Sequence, residues 1–66
     1  MDNPRFKKGD TARILHYISP LPRGTTVAIM EINETRAGYK DLVEGKLKGQ
    51  SVKLWTKEQD LDLPFV

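Results

Sequence analysis

Glycines and prolines cut this chain into short pieces. The segment "ISPLPRG" carries Pro20, Pro22 and Gly24 within five residues, and these fix backbone angles unsuited to the interior of a strand or helix. It reads as an ordered loop. Gly38, Gly45 and Gly49 interrupt the second half. The stretch "YKDLVEGKLKG", residues 39 to 49, places Tyr39, Leu42, Val43 and Leu47 on a helical stripe. Each glycine inside a helix costs roughly 1 kcal/mol, however, so a strand and hairpin are expected there in preference to a helix.

What remains between the breaks alternates with a period of two, the signature of half-buried strands. A first strand is expected over 11–17, "TARILHY", with Ala12 and Ile14 inward and Arg13, Leu15 and Tyr17 outward. "TTVAIMEI", residues 25–32, is rich in β-branched residues, but Val27 and Ile29 fall on one face while Met30 and Ile32 fall on the other. A bulge or sharp bend that switches the phase reconciles them. "NETRAG", 33–38, reads as a turn. "SVKLW", 51–55, puts Val52 and Leu54 inward and Lys53 and Trp55 outward. A single helical turn over 57–60 and a closing strand over 61–63, ended by Pro64, complete the pattern.

A chain of 66 residues has room for one domain, and at this size about 60% of the unfolded surface is buried on folding. The expected unit spans 1–66, with its core over about 6–63. Because there is no cysteine, disulfides, thiolate metal sites and a cysteine nucleophile are excluded, and packing alone must hold the fold. No apolar run approaches the roughly 20 residues needed to span a bilayer, and "MDNPRFKKGD" lacks the apolar core of a signal peptide. A cytoplasmic protein without a membrane partner is therefore expected. Eleven basic residues against nine acidic ones give a formal charge of +2, which permits nucleic-acid binding without arguing for it.

Four or five short strands, a long irregular loop after the first and a helical turn before the last make the pattern of a small barrel. The phrases "FKKGDTARIL" at the start and "KEQDLDL" at the end resemble KOW-like and bacterial Src-homology-3-like modules over roughly residues 6–63. The resemblance implies an all-β, partly open SH3-like barrel of about five strands, with a 3-10 turn before the last. In it Gly9 would let the chain turn into the first strand and Phe6 would plug one end of the core. Around Arg23-Gly24 the chain looks like the KOW core phrase, but Val27 stands where a second glycine is usual, so the ribosomal and transcription-factor role of that family is not carried over. Nor is proline-motif binding, because "HYISPLPRG" replaces the tyrosine-rich acidic loop of the signalling domains.

The residues nominate no catalytic group. His16 is the lone histidine and reads as a rim residue. Glu58, Asp60 and Asp62 lack the glycine turn and terminal glutamate of a calcium loop and read as a solvated turn, and Asp41 and Glu44 read as surface partners of Lys40, Lys46 and Lys48. No metal site, cofactor or enzymatic activity is expected. The expected role is that of a non-catalytic module docking onto a larger protein or nucleoprotein assembly, as accessory subunits or small phage and mobile-element proteins do. Its partner-binding residues would be Tyr17, Ile18, Leu21 and Arg23 of the proline loop, displayed at little entropic cost, together with Lys53 and Trp55. The alternative is direct nucleic-acid binding by Arg13, Lys40, Lys46, Lys48 and Lys53, with Tyr17, Tyr39 or Trp55 stacking on bases.

Overall fold

The computed structural model describes residues 4–63. Five antiparallel strands, β1 (Thr11–Ile14), β2 (Thr26–Thr35), β3 (Gly38–Leu47), β4 (Gln50–Lys57) and β5 (Leu61–Asp62), form one sheet in the order β4-β3-β2-β1-β5. A 3-10 turn over Glu58–Asp60 joins the two edge strands. The sheet curls into an open half-barrel, all-β with a single 3-10 turn before the last strand, as the sequence predicts. Pro64 lies outside the described residues.

The core is the concave side of this curl. Phe6, Ala12, Ile14, Leu21, Val27, Ile29, Val43 and Leu61 are buried, and Ile18, Ile32, Leu47, Val52 and Leu54 pack against them. The phase switch in β2 is a bulge. Ile29 pairs with Val43 and Glu31 with Leu42, which leaves Met30 as the extra residue. After the bulge Ile32 returns to the inner face that Val27 and Ile29 occupy before it, so one irregularity brings odd and even positions into one core. Residues 39–49 form a strand and hairpin. Leu47 pairs with Gln50 across Lys48 and Gly49, with φ of 52° and 81°, the two left-handed residues that match a tight hairpin to strand twist.

Several boundaries differ from the sequence expectation, among them the closing strand, which ends at Asp62 rather than at residue 63. β1 stops at Ile14 because its backbone is then engaged by loop and turn. The Ile14 amide donates to the Thr25 carbonyl (3.1 Å), Gly24 donates back to Ile14 (2.9 Å), and the Leu15 amide donates to Asp60 (2.9 Å). Tyr17 is therefore not on a strand face shared with Arg13. The turn expected at 33–38 shrinks to Arg36–Ala37, since β2 runs to Thr35. Asn33, Glu34 and Thr35 are polar because they form a hairpin arm with little core beneath it, not because the chain reverses there. Finally, β4 continues to Lys57, which moves that residue from the helical turn into the strand.

The lead segment is fastened at both ends. Gly9, at φ 95°, donates its amide to Ile29 (2.8 Å), and Ile29 donates back to Asp10 (2.8 Å). Phe6 is buried with the Arg5 guanidinium 5.3 Å from its ring centroid. The Arg5 side chain also donates to the carbonyls of Glu58 and Leu61, both at 3.1 Å. Phe6 thus belongs to the core.

The loop between β1 and β2 folds inward over β3. Ile18 and Leu21 exchange backbone hydrogen bonds of 3.0 and 2.7 Å around a cis Ser19–Pro20 peptide, and Leu21 is fully buried. Gly45 makes the approach possible: a β-carbon there would lie 3.0 Å from Leu21 Cδ1 and 3.0 Å from Val27 Cγ1. Gly45→Val is accordingly expected to destabilise the fold by about 1–3 kcal/mol, the usual cost of overpacking. Urea denaturation checks this, and an unchanged midpoint would show that the loop yields freely.

Candidate interaction surface

In an antiparallel ladder, residues directly opposite share a face, so the register assigns the convex surface. Lys40 faces Lys57, Leu42 faces Trp55, Glu44 faces Lys53 and Lys46 faces Ser51. Lys53, Trp55 and Lys57 recur at two-residue spacing on β4, which places a cation about 7 Å along the strand on each side of the ring. Trp55 is 45% exposed. Glu31, opposite Leu42 on β2, and Glu44 are the acidic residues on this part of the face.

Two depressions flank the Lys40–Lys57 pair. One, of about 280 Å³, is lined by Ile18, Lys40, Trp55, Lys57, Gln59 and Asp60 among others. The second, about 550 Å³, lies against the tip of the β2–β3 hairpin between Arg5, Glu34, Arg36, Tyr39 and Glu58. Lys40, Lys57 and Gln59 line both.

The residues nominated from sequence separate accordingly. Ile18 of the loop and Trp55 of the sheet meet in the smaller groove, and Lys53 adjoins Trp55 on the strand. Tyr17 is exposed, at 66%, and Arg23 is exposed in the loop. Leu21 belongs to no display. It is a core residue, because the prolines turn it inward onto Gly45 rather than out. Of the basic set, Lys40, Lys46 and Lys53 share the convex β3–β4 face. Lys48 sits in the hairpin turn, roughly 26 Å along the strand from Lys40 at about 3.3 Å per residue, and Arg13 lies two strands away, paired with Thr26 and Asp62. Those two do not join the patch. Tyr39 is half buried beside the larger cleft.

Beneath that cleft lies a feature the sequence reading placed wrongly. Asp41 is not a surface partner of lysines, and Glu58 is not in a solvated turn; they are 0% and 8% exposed. Asp41 sits on the inner face of β3 between Ile32 and Thr56, in phase with Val43 and Gly45. Thr56 turns its hydroxyl to the Lys57 carbonyl (3.4 Å), and Glu58 Oε1 accepts the Arg5 amide (2.9 Å). Both Asp41 oxygens and Glu58 Oε2 then have no donor among the described residues. Two ionised carboxylates in such a place would repel each other unsolvated, and one retained proton supplies the missing donor between them. Burial first, then the hydrogen bond to Glu58 and its charge, push the Asp41 pKa from 3.8 up to about 7.

The remaining acidic residues face apart. Asp60 lies 3.8 Å from the exposed His16 ring, and Asp62 lies 3.8 Å from Arg5. Among the described residues no three His, Asp or Glu side chains gather as metal ligands, and no helix is long and apolar enough to cross a membrane. The signals for the missed residues were present in the sequence. Lys57 continues the spacing of Lys53 and Trp55, and Asp41 shares the alternation of Val43 and Leu47. Comparison of the chain with models of protein families, with curated proteins and with solved structures finds no match.

Proposed function

We propose that this chain is a non-catalytic interaction module, an SH3-like barrel that docks onto an anionic surface of a larger protein or nucleoprotein assembly through its convex β3–β4 face. The observation that carries the reading is Trp55, an exposed ring set between Lys53 and Lys57 and bordered by Lys40. Lysines on an edge strand have an ordinary explanation, since they block edge-to-edge association. That covers Lys53 and Lys57, because β4 is an edge. It does not cover Trp55, nor Lys40 on the interior strand β3. Like charges directly across a ladder are unfavourable, so Lys40 facing Lys57 is relieved when an anion lies between them. Ile18 adds an apolar wall to the Trp55 groove, and the exposed Tyr17 stands next to it in the chain.

A polyanion column tests this. Lys40→Gln with Lys57→Gln lowers the formal charge from +2 to 0, and Lys7→Gln with Lys8→Gln lowers it equally in the turn before β1. The first variant is expected to elute from heparin at clearly lower salt than the second. Equal elution would mean that net charge alone governs retention, and the face would lose its special standing.

A further inference from the structure

We infer that the two depressions form one continuous track for a short single strand of nucleic acid, with a base stacked on Trp55 and phosphates lying along Lys53, Lys57 and Lys40 toward Arg36. This rests on the docking reading above and names the chemistry of its partner.

Continuity comes first. Lys40 and Lys57 line both the Trp55 groove and the larger cleft, so a ligand leaving the ring crosses the two ammonium groups and enters the cleft without meeting a wall of different chemistry. The alternation then selects the ligand class. A nucleic-acid strand presents phosphate, base, phosphate, and β4 presents Lys53, Trp55, Lys57. An acidic peptide matches the lysines but brings no flat group for the ring, whereas every base has a face that stacks. A duplex hides those faces, so a single strand is preferred. The apolar side of Ile18 against Trp55 suits a base edge. Arg36 at the hairpin tip extends the cationic line, while the Arg5 guanidinium is engaged by the Glu58 and Leu61 carbonyls and contributes chiefly its charge.

The opposing charges set the strength. Glu34 and Glu58 border the cleft and Asp60 the groove, so the track is only modestly cationic. Three phosphate contacts, from Lys40, Lys53 and Lys57, give a salt slope of about −2 for a single strand, or roughly a 20-fold loss of affinity between 50 and 200 mM salt.

Trp55 is the only tryptophan, so its emission reports on the track directly. The full chain is titrated with oligothymidylate and oligouridylate of about six nucleotides, with a duplex of equal length, and with oligoglutamate of matched charge. The expected result is binding of the single strands with quenching of Trp55, a roughly 20-fold salt effect, weaker binding of the duplex, and little binding of oligoglutamate. By anisotropy of labelled strands, Trp55→Ala should lose about tenfold or more in affinity and Trp55→Phe should retain most of it. Absence of single-strand binding at 50 mM salt, binding without quenching, or oligoglutamate binding as tightly as the oligonucleotides would each overturn the inference. The last outcome would leave the docking reading standing with an acidic protein as partner, while loss of the heparin difference would remove both.

Discussion

Replacing Asp41 with asparagine is expected to stabilise the protein at pH 8 and to abolish most of its pH dependence between pH 4 and 7. Asp41 is fully buried, and its folded-state pKa is raised from 3.8 to about 7. Between those values the folded chain holds a proton that the unfolded chain releases. Stability therefore falls as pH rises through the window, and is lost no further above about 7. The span between the two values corresponds to about 4 kcal/mol at 1.36 kcal/mol per pH unit. That is a large share of the roughly 3–10 kcal/mol expected for a domain of this length. Asparagine carries no charge to bury, and its amide can donate to Glu58 Oε2, which has no donor among the described residues. Urea denaturation followed by Trp55 emission from pH 4.5 to 8 checks the prediction. A wild-type midpoint that is level or climbs across this range would show that the carboxyl pair is ionised and solvated in the folded protein.

Leu21→Ala should cost about 2–5 kcal/mol, the range for deleting a fully buried leucine from a packed core. The consequence reaches the candidate interface. Leu21 anchors the loop through its own side chain and through both hydrogen bonds with Ile18, and Ile18 forms part of the Trp55 groove. The variant is thus expected to lower the thermal midpoint and, at temperatures where it remains folded, to weaken polyanion retention as well. Tyr17→Ala, which removes an exposed side chain, should leave stability nearly unchanged. If Leu21→Ala were as mild as Tyr17→Ala, the loop would not be packed as described.

The two predictions share an origin in how this small core is filled. With few residues to bury, the fold uses a loop leucine over a glycine at one point and tolerates a carboxyl pair at another. The pair stands apart from the apolar core, to which Val27, Ile29, Val43 and Leu61 belong. It lies under the cleft that Arg5, Tyr39 and Lys57 border, so its cost in stability falls beside the surface where a ligand is proposed to pass. Core rules are commonly broken next to a binding surface in this way.

Much of the architecture was legible from period and punctuation. The two-residue alternation of Ala12 and Ile14, of Val27 and Ile29, and of Val52 and Leu54 assigns the inner face of three strands before any contact is known. The mismatch between Ile29 and Ile32 announces the bulge, because one face must remain apolar and only an extra residue restores it. Glycine at 49 marks the hairpin, and the exclusion of disulfides and thiolate sites follows from composition. These properties are local: each depends on the conformations open to a few successive residues.

The placements that went astray depend on what folds over what. Leu21 in a proline-rich loop has the same local signature whether it points to solvent or to the core, and the backbone approach at Gly45 decides between them. Asp41 is polar in an otherwise apolar alternation, and its phase with Val43 was outweighed by its charge. Its burial follows from the curl that brings the 3-10 turn and Glu58 across β3. The set Arg13, Lys40, Lys46, Lys48 and Lys53 looked like one patch because the sequence counts charges without measuring the distances between them. Pairing register put Lys40 beside Lys57 and Trp55 and sent Lys48 to the far end of the hairpin. The existence of the strands, their inward faces and the phase switch can be read along the chain, because steric preference and hydrophobic period act between near neighbours. Which charges meet, which loop residue is core and which carboxyls are desolvated follow from the folded arrangement, because they depend on distances between residues far apart in the chain.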